Sequence, residues 1–346
     1  MISDQLVAIA RCPDCRASLL GESRDVVCRG CGRRFDRTRG DYLDLRPRVA
    51  FAEQTKYVDE ALHADARHET VSPPLLSAGI RNDMLRRFLQ PSSGDRVVDL
   101  GCGSGRVLLW NSDRGATLVG VDVSPFFATE ARARVDLALG DLRNLPFADG
   151  VFTKGYALDV LEHLSRPALE EMLREASRVL APGGRLFVYS HVRKNAPIAK
   201  GLRLINTLAA RLERAGALDL SQERLRKSDH LNPLTDVPDL RAVVQGAGFR
   251  IERIRYYTPI VGGFVENIMV RIGERVLGWR AKRREPASGV PASRLARTDA
   301  KARIARRGAA YRGLALLTWL MKVDVWLFGR IESGPFFALL VKEGPV

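Results

Sequence analysis

A glycine-rich segment, Val97-Val-Asp-Leu-Gly-Cys-Gly-Ser-Gly105, is the feature that most constrains how this chain can fold. An apolar run ends at Asp99 and Leu100, and glycines then occupy alternate positions at Gly101, Gly103 and Gly105. Glycine adopts positive φ without steric penalty, so this run lets a strand turn sharply into a helix and lets a ligand approach the backbone. The spacing differs from the Gly-x-Gly-x-x-Gly of dinucleotide sites and lacks the Lys-Ser/Thr of a P-loop. The segment therefore predicts a ligand-binding turn that is not built for a triphosphate.

Short apolar strands alternate with helical patterns on both sides of this turn. Strands are predicted at 96–100, 117–121, 135–139, 152–158, 185–190, 249–257 and 336–341, with helices between most of them. This alternation predicts an α/β fold with a parallel sheet covered by helices on both faces. Ligands bind such sheets at the carboxyl ends of the strands, beside the point where the strand order reverses.

Further polar groups follow the next two strands of this pattern. Asp122 ends the second predicted strand, where a carboxylate can accept two hydrogen bonds from a ribose diol. Asp141 follows the third strand and can accept a hydrogen bond from an exocyclic amine. The backbone N–H of Leu142 can donate to a ring nitrogen. These residue types predict a nucleoside-binding edge.

Two more motifs complete an ordered set. Asp159-Val-Leu-Glu-His163 follows the fourth strand, and Leu180-Ala-Pro-Gly-Gly184 precedes the fifth. In this order and spacing, the motifs resemble the class I S-adenosylmethionine-dependent methyltransferases, and most closely their quinone and small-molecule branch. The resemblance covers about residues 75–257 and the last strand. It implies a Rossmann-like seven-stranded sheet whose last strand is antiparallel.

The resemblance also implies how S-adenosylmethionine is held. The three glycines of the turn are expected to hold its methionine part, and Asp122 its ribose. Asp141 and Leu142 are expected to hold the adenine. Asp99 is expected to fix the amino group through water. Independently of the resemblance, Tyr57 in the predicted linker could cap the site from above.

Methyl transfer requires little acid–base catalysis by the protein, because the sulfonium of the cofactor already activates the methyl group. The protein aligns the acceptor and provides a place for its proton. Candidate bases are His163 and His191, expected at the carboxyl ends of the fourth and fifth strands. His230, close before Asn232-Pro, is a third candidate that could fold over the site. Ordinary packing is the alternative for any one of these histidines.

Four of the five cysteines form two Cys-x-x-Cys pairs. Cys12 and Cys15 are separated by twelve residues from Cys28 and Cys31, and a hairpin between the pairs would bring them together. Four thiolates around Zn²⁺ form a closed tetrahedral site of structural type. Ordinary buried thiols are the alternative, and iron could replace zinc. We predict a zinc ribbon at 1–46, a linker at 47–75 and a methyltransferase domain at 76–346, with helical insertions at 192–232 and 258–334.

The chain carries a formal net charge of +15, and two thirds of this excess positive charge lies in one segment. Residues 271–313 hold thirteen Lys or Arg and three Asp or Glu, a net charge of +10. Such a segment favours nucleic acid, an anionic membrane surface or an acidic substrate. It is followed by the apolar stretch 314–328, in which Thr318 and Lys322 form a narrow polar stripe. An apolar helix beside a basic cluster suits an anionic membrane surface.

These patterns favour a small hydrophobic or lipid-like acceptor. Because no secretory signal and no membrane-spanning run are recognised, we expect a cytoplasmic protein that could bind the inner face of the membrane. An RNA acceptor, rRNA or tRNA, is the alternative, since the zinc ribbon and the basic charge also fit phosphate binding. A second alternative is a non-catalytic binding module on a methyltransferase fold.

Overall fold

The computed structural model of the chain describes residues 2–22, 25–36, 41–49, 71–193, 199–216, 230–257, 260–269, 272 and 308–344. Tyr57 and most of the basic segment 271–313 lie outside the described residues. Parts of the insertions 192–232 and 258–334 also lie outside them. The boundaries 1–46, 47–75 and 76–346 stay predictions.

The N-terminal unit is a short helix followed by a small antiparallel sheet. Its elements are α1 (Asp4–Ile9), β1 (Leu19–Gly21), β2 (Asp25–Cys28) and β3 (Arg34–Asp36), with sheet order β1-β2-β3. Ser3 caps α1 by accepting a hydrogen bond from the Leu6 N–H at 3.0 Å, which satisfies an otherwise unpaired donor. The β1–β2 hairpin lies between the two cysteine pairs, as the sequence predicts.

The main sheet contains eight strands among the described residues. They are β4 (Leu43–Asp44), β5 (Arg96–Leu100), β6 (Thr117–Asp122), β7 (Asp136–Leu139), β8 (Phe152–Leu158), β9 (Leu180–His191), β10 (Phe249–Tyr256) and β11 (Pro335–Lys342). Their order is β10-β11-β9-β8-β5-β6-β7-β4, and β11 runs antiparallel to both of its neighbours. The Rossmann-like sheet and its antiparallel last strand are confirmed. The strand order reverses at β5, which places the glycine turn at the switch point.

The eighth strand was not predicted, and it comes from the N-terminal unit. Leu43 and Asp44 pair in parallel with Ala138 and Leu139 of β7, and the Leu45 N–H donates to the Leu139 carbonyl at 2.9 Å. Leu43 and Leu45 are fully buried. A two-residue strand is too short to produce a recognisable alternation, so its pairing can be seen only in the fold. The N-terminal unit thus covers one edge of the main sheet.

Helices cover both faces of the main sheet. They are α2 (Leu76–Leu89), α3 (Arg106–Asn111), α4 (Thr129–Arg134), α5 (Arg166–Val179), α6 (Ala199–Arg214), α7 (Val237–Gly246), α8 (Ile260–Phe264) and α9 (Ala309–Phe328). Buried residues of α5 and α7 belong to one hydrophobic cluster, and those of α2, α3 and α9 belong to a second. α5 begins at Ser165, whose hydroxyl accepts from the Ala168 N–H, with Pro167 in the first turn. Its residues Leu169, Met172 and Leu173 repeat at helical spacing and are buried.

The polar stripe of α9 faces the protein. The Thr318 hydroxyl accepts a hydrogen bond from the Leu76 N–H at 2.7 Å, where α2 begins. Lys322 Nζ lies 3.3 Å from Asp83 Oδ1 on α2. Buried Asp324 accepts hydrogen bonds from the N–H groups of Val261 and Gly262 at 2.7 and 3.0 Å. Within the described parts of the chain, no helix combines the length and apolar character that a bilayer crossing requires.

Candidate functional site

The glycine turn lies at the carboxyl end of β5, and all three of its glycines have positive φ. The φ angles are 79° at Gly101, 53° at Gly103 and 78° at Gly105. A Cβ on Gly101 would lie 2.6 Å from Val160 Cγ2, and one on Gly105 would lie 2.7 Å from Ala131 Cβ. A Cβ on Gly103 would meet nothing within 4 Å among the described residues. Gly101 and Gly105 therefore allow close packing behind the turn, while Gly103 faces open space that a ligand can occupy.

Asp122 ends β6 beside this open face. Its carboxylate accepts hydrogen bonds from the Gly103 N–H at 2.7 Å and from the Ser124 N–H at 2.8 Å. A carboxylate has about four acceptor positions, so these two bonds are compatible with further bonds to a ribose diol. The structure thus places Asp122 beside the turn, where the sequence predicts it.

Asp99 lies beneath the glycine turn and is buried. Its side chain is 2% exposed, and its residue pairs in register with Tyr156 of β8. Burial raises the pKa of Asp99 well above its usual range. Oδ2 of Asp99 has no hydrogen-bond partner among the described residues. A buried acceptor without a partner is unfavourable, so the site fits a cofactor amino group or a bound water at this position.

The predicted adenine contacts lie in the loop after β7. Both carboxylate oxygens of Asp141 accept hydrogen bonds from the guanidinium of Arg143, at 2.9 and 2.8 Å. Oδ1 also accepts from the Arg143 N–H at 2.8 Å. The sequence reasoning missed Arg143, which competes with a ligand amine for Asp141. The side chain of the neighbouring Leu142 packs against the main hydrophobic cluster. The assignment of adenine to Asp141 and Leu142 stays a prediction.

The N-terminal unit holds this same loop in place. The Arg11 N–H donates to the Pro146 carbonyl, and the Ala148 N–H donates to the Ile9 carbonyl, both at 2.9 Å. Asn144 Nδ2 donates to the carbonyl of Pro13, which follows the first cysteine, at 2.9 Å. The loop that is expected to hold adenine is therefore anchored directly to the cysteine-containing unit.

The four predicted metal-binding cysteines converge. The Sγ atoms of Cys12, Cys15, Cys28 and Cys31 all lie within 4.8 Å of one another. The N–H groups of Gly30 and Cys31 donate to Cys28 Sγ at 3.3 and 3.4 Å. Burial raises the pKa of the Cys28 thiol. These hydrogen bonds and those from the other thiols outweigh burial and lower the pKa to about 6, which favours a thiolate. Four sulfur donors in this arrangement fit a tetrahedral metal ion. Cys102 lies buried in the glycine turn, apart from this cluster.

The three candidate bases lie together beyond β8 and β9. His163 ends a 3₁₀ turn, Leu161–His163, and His191 ends β9. The ring centroids of His163 and His230 are 4.7 Å apart, and those of His191 and His230 are 6.3 Å apart. The structure thus brings His230 next to His163 and His191, and its position over the acceptor site stays a prediction. Any catalytic role for these residues stays a prediction.

A buried carboxylate that was not predicted lies among these histidines. Glu162 is 1% exposed, and its Oε2 accepts a hydrogen bond from the Ser190 hydroxyl at 2.7 Å. Burial, together with the nearby Asp159 carboxylate, raises the pKa of Glu162 to about 8. The sequence offered one signal, the position of Glu162 inside the motif after the fourth strand. Its burial and its Ser190 partner depend on tertiary packing.

Arg81 is a second residue that the sequence reasoning missed. It lies on α2, and its Nη1 contacts both carboxylate oxygens of Asp159, at 2.8 and 2.5 Å. The guanidinium also lies over the Tyr189 ring, 5.2 Å from its centroid. Asp159 has a φ of 55°, which is uncommon for a residue other than glycine. Arg81 thus ties α2 to the turn that carries Glu162 and His163.

The central part of the chain is similar to known methyltransferases. Residues 98–188 match the family model described as a methyltransferase domain. Methyltransferase GfsG of Streptomyces halstedii is 34% identical over 165 residues, which are 44% of this chain and 58% of that protein. The demethylmenaquinone methyltransferase of Corynebacterium kroppenstedtii is 41% identical over 104 residues, 30% of this chain and 44% of that protein.

A third relative differs in its acceptor. The probable tRNA methyltransferase 9B of Mus musculus is 36% identical over 108 residues, which are 30% of this chain and 24% of that protein. The chain thus spans less than two thirds of each of these three relatives. Their names include a quinone precursor and a tRNA, so the matches agree on the domain and differ in the acceptor.

The four cysteines are predicted to hold a metal, and its removal is expected to loosen the loop 141–148. In this loop, the Leu145 N–H donates to the Glu175 carboxylate, and the Ala148 N–H donates to the Ile9 carbonyl. Arg16 of the N-terminal unit forms an ion pair with the same Glu175 at 3.2 Å. Amide hydrogen exchange after treatment with a strong chelator should accelerate in 141–148 and stay unchanged in β8, which serves as the internal control. Unchanged protection in the loop would show that the metal does not support it.

Proposed function

Because residues 98–188 form a methyltransferase domain, we propose that this protein transfers a methyl group from S-adenosylmethionine to a small hydrophobic or lipid-like acceptor. When bound, the cofactor supplies an activated methyl group on its sulfonium. The protein then has to bind both molecules, align them in line and exclude water. The open face of Gly103 beside the Asp122 carboxylate is the observation that carries this proposal.

Each part of the cofactor has a counterpart at this edge of the sheet. The glycine turn would cradle the methionine part, with Asp99 below it, and Asp122 would bind the ribose hydroxyls. The loop after β7, with Asp141 and Leu142, would lie along the adenine. Val160 packs against Gly101, so the segment that follows β8 adjoins the methionine end of the site. The acceptor would therefore lie near the carboxyl ends of β8 and β9, beside the three histidines.

The outer surface of α9 supports a hydrophobic acceptor. Thr318, Lys322 and Asp324 of this helix contact the rest of the protein, whereas several large apolar side chains face solvent. Those that are exposed are Leu316, Trp319, Leu320, Trp326 and Leu327. Trp319 is 60% exposed and Trp326 is 82% exposed. Exposed tryptophans on one helix are typical of surfaces that bind partners or membranes, since an apolar patch in water is unfavourable.

We propose that this surface binds an anionic membrane. α8 contacts both α6 and α9, and apolar side chains are also exposed on α6 at Leu204 and on α8 at Val261 and Phe264. The basic segment 271–313 extends into the first residues of α9 and would supply electrostatic attraction to anionic lipids. A lipid-like acceptor could then enter the site from the membrane. The four-cysteine site is proposed to hold structural zinc.

RNA remains the second candidate acceptor. The net charge of +15 and the name of the mouse relative favour it. We prefer the hydrophobic acceptor because exposed tryptophan and leucine on α9 have no role in neutralising phosphates, which dominate RNA affinity. A non-catalytic module on this fold is the third possibility, and it would lack affinity for the cofactor.

Asp122→Asn is expected to weaken the binding of S-adenosylmethionine by about tenfold to a hundredfold, because hydrogen bonds to a charged acceptor contribute about 1.5–3 kcal/mol. Isothermal titration of the full chain measures this affinity. Asp113→Ala, at an exposed carboxylate outside the site, is the control and should bind like the unaltered chain. No binding by the unaltered chain would refute the enzyme assignment.

The double substitution Trp319→Ser and Trp326→Ser is expected to reduce binding to vesicles containing phosphatidylserine by about tenfold or more, since burial of a large apolar side chain contributes about 1.5–3 kcal/mol. Co-sedimentation of the full chain with these vesicles measures the effect. Val49→Ser is the matched control, because Val49 is 83% exposed but lies in the N-terminal part of the chain. Equal sedimentation of all three proteins would contradict the membrane proposal.

A further inference from the structure

Three potential metal ligands meet beside the proposed acceptor position. Glu162, His163 and His230 each offer one ligand atom, and these atoms all lie within 4.8 Å of one another. Glu162 and His163 come from the 3₁₀ turn after β8, whereas His230 comes from a segment far along the chain. The arrangement therefore depends on tertiary structure and is separate from the cysteine site.

Backbone hydrogen bonds fix His230 over the turn. The N–H groups of Leu231 and Asn232 both donate to the Glu162 carbonyl, at 2.8 and 3.0 Å. The Glu162 carbonyl thus anchors Leu231 and Asn232, and with them the adjacent His230, which is the third ligand. Because the anchor and two of the ligands share one short turn, these long-range hydrogen bonds hold His230 close to Glu162 and His163.

The Glu162 carboxyl group is held in a fixed orientation. Ser190 donates to its Oε2, and His191 Nδ1 lies 3.6 Å from its Oε1. Within the described residues, no Lys or Arg forms an ion pair with it. A buried carboxylate is unfavourable unless a cation or hydrogen bonds compensate its charge. Hydrogen-bonded partners behind a carboxylate are also the usual support of a metal ligand.

We propose that Glu162, His163 and His230 bind a divalent transition-metal ion, and that this ion binds an oxygen atom of the acceptor. Two imidazoles and one carboxylate suit first-row ions such as zinc and iron(II), and three protein ligands leave a coordination position open. The inference rests on the proposed function, because it names the acceptor class for that site. The acceptor would carry a hydroxyl or enol oxygen.

The metal would activate the acceptor oxygen, so that no histidine would have to act as the general base. Coordination to a divalent ion lowers the pKa of a hydroxyl, so the proton can pass to solvent water. An oxygen lone pair then forms the bond to the methyl carbon. The carbon–sulfur bond breaks with its electron pair going to sulfur, which leaves S-adenosylhomocysteine as the neutral thioether. His191 would act as a positioning residue through Glu162.

The full chain, incubated with zinc and freed of loose metal by desalting, is expected to hold two zinc ions per chain by elemental analysis. One belongs to the four cysteines and one to the new site. His230→Ala should hold one, because the loss of a ligand weakens binding by about tenfold or more. Leu231→Ala is the matched control, since Leu231 is exposed, adjacent and not a ligand, and it should hold two.

Affinity for S-adenosylmethionine separates this inference from the proposed function. His230→Ala should bind the cofactor within about twofold of the unaltered chain, which also shows that it folds. One zinc per chain in both proteins, or two in both, would overturn the metal site while leaving a cofactor-binding chain intact. Loss of cofactor binding in the unaltered chain would instead overturn the proposed function.

Discussion

The positive φ of the three alternate glycines after β5 is the constraint on which the rest of the structure depends. Gly101 and Gly105 leave no space for a side chain, because Val160 and Ala131 pack directly against them. The turn therefore brings the segment after β8 and the helix α4 close to the end of β5. Gly103 keeps one face open beside Asp122. This single turn therefore adjoins both the proposed cofactor site and the proposed acceptor site.

The N-terminal unit extends this arrangement at the edge of the sheet. β4 adds a strand beside β7, and Arg11 and Ile9 bond the loop that follows β7. The buried residues of the cysteine-containing unit belong to the main hydrophobic cluster. A metal bound by its cysteines would further stabilise this unit and, through it, the loop. At the other edge, α9 turns its polar stripe toward α2 and α8. The apolar side of α9 faces solvent. This exposed surface is the feature that favours binding of a hydrophobic acceptor or a membrane.

Much of the fold could be predicted from the sequence because its signals are local. The glycine turn, the strand alternation and the cysteine pairs each depend on residues close together in the chain. β4 could not be predicted, since its two residues gain their structure only by pairing with β7. Likewise, Glu162 resembles an ordinary helical-turn carboxylate until Ser190 and His230 are placed around it. The pairing of Arg143 with Asp141 could not be predicted, because this hydrogen bond depends on the conformation of the loop.

We propose that the cofactor binds at the ends of β5, β6 and β7 and that a hydrophobic acceptor binds at the ends of β8 and β9. The most direct test is transfer of a labelled methyl group from S-adenosylmethionine to a cell extract, followed by separation of lipids and small molecules from RNA. We expect label in the fraction that is soluble in organic solvent. Label in RNA would contradict the acceptor assignment, and absence of transfer to any fraction would contradict the account as a whole.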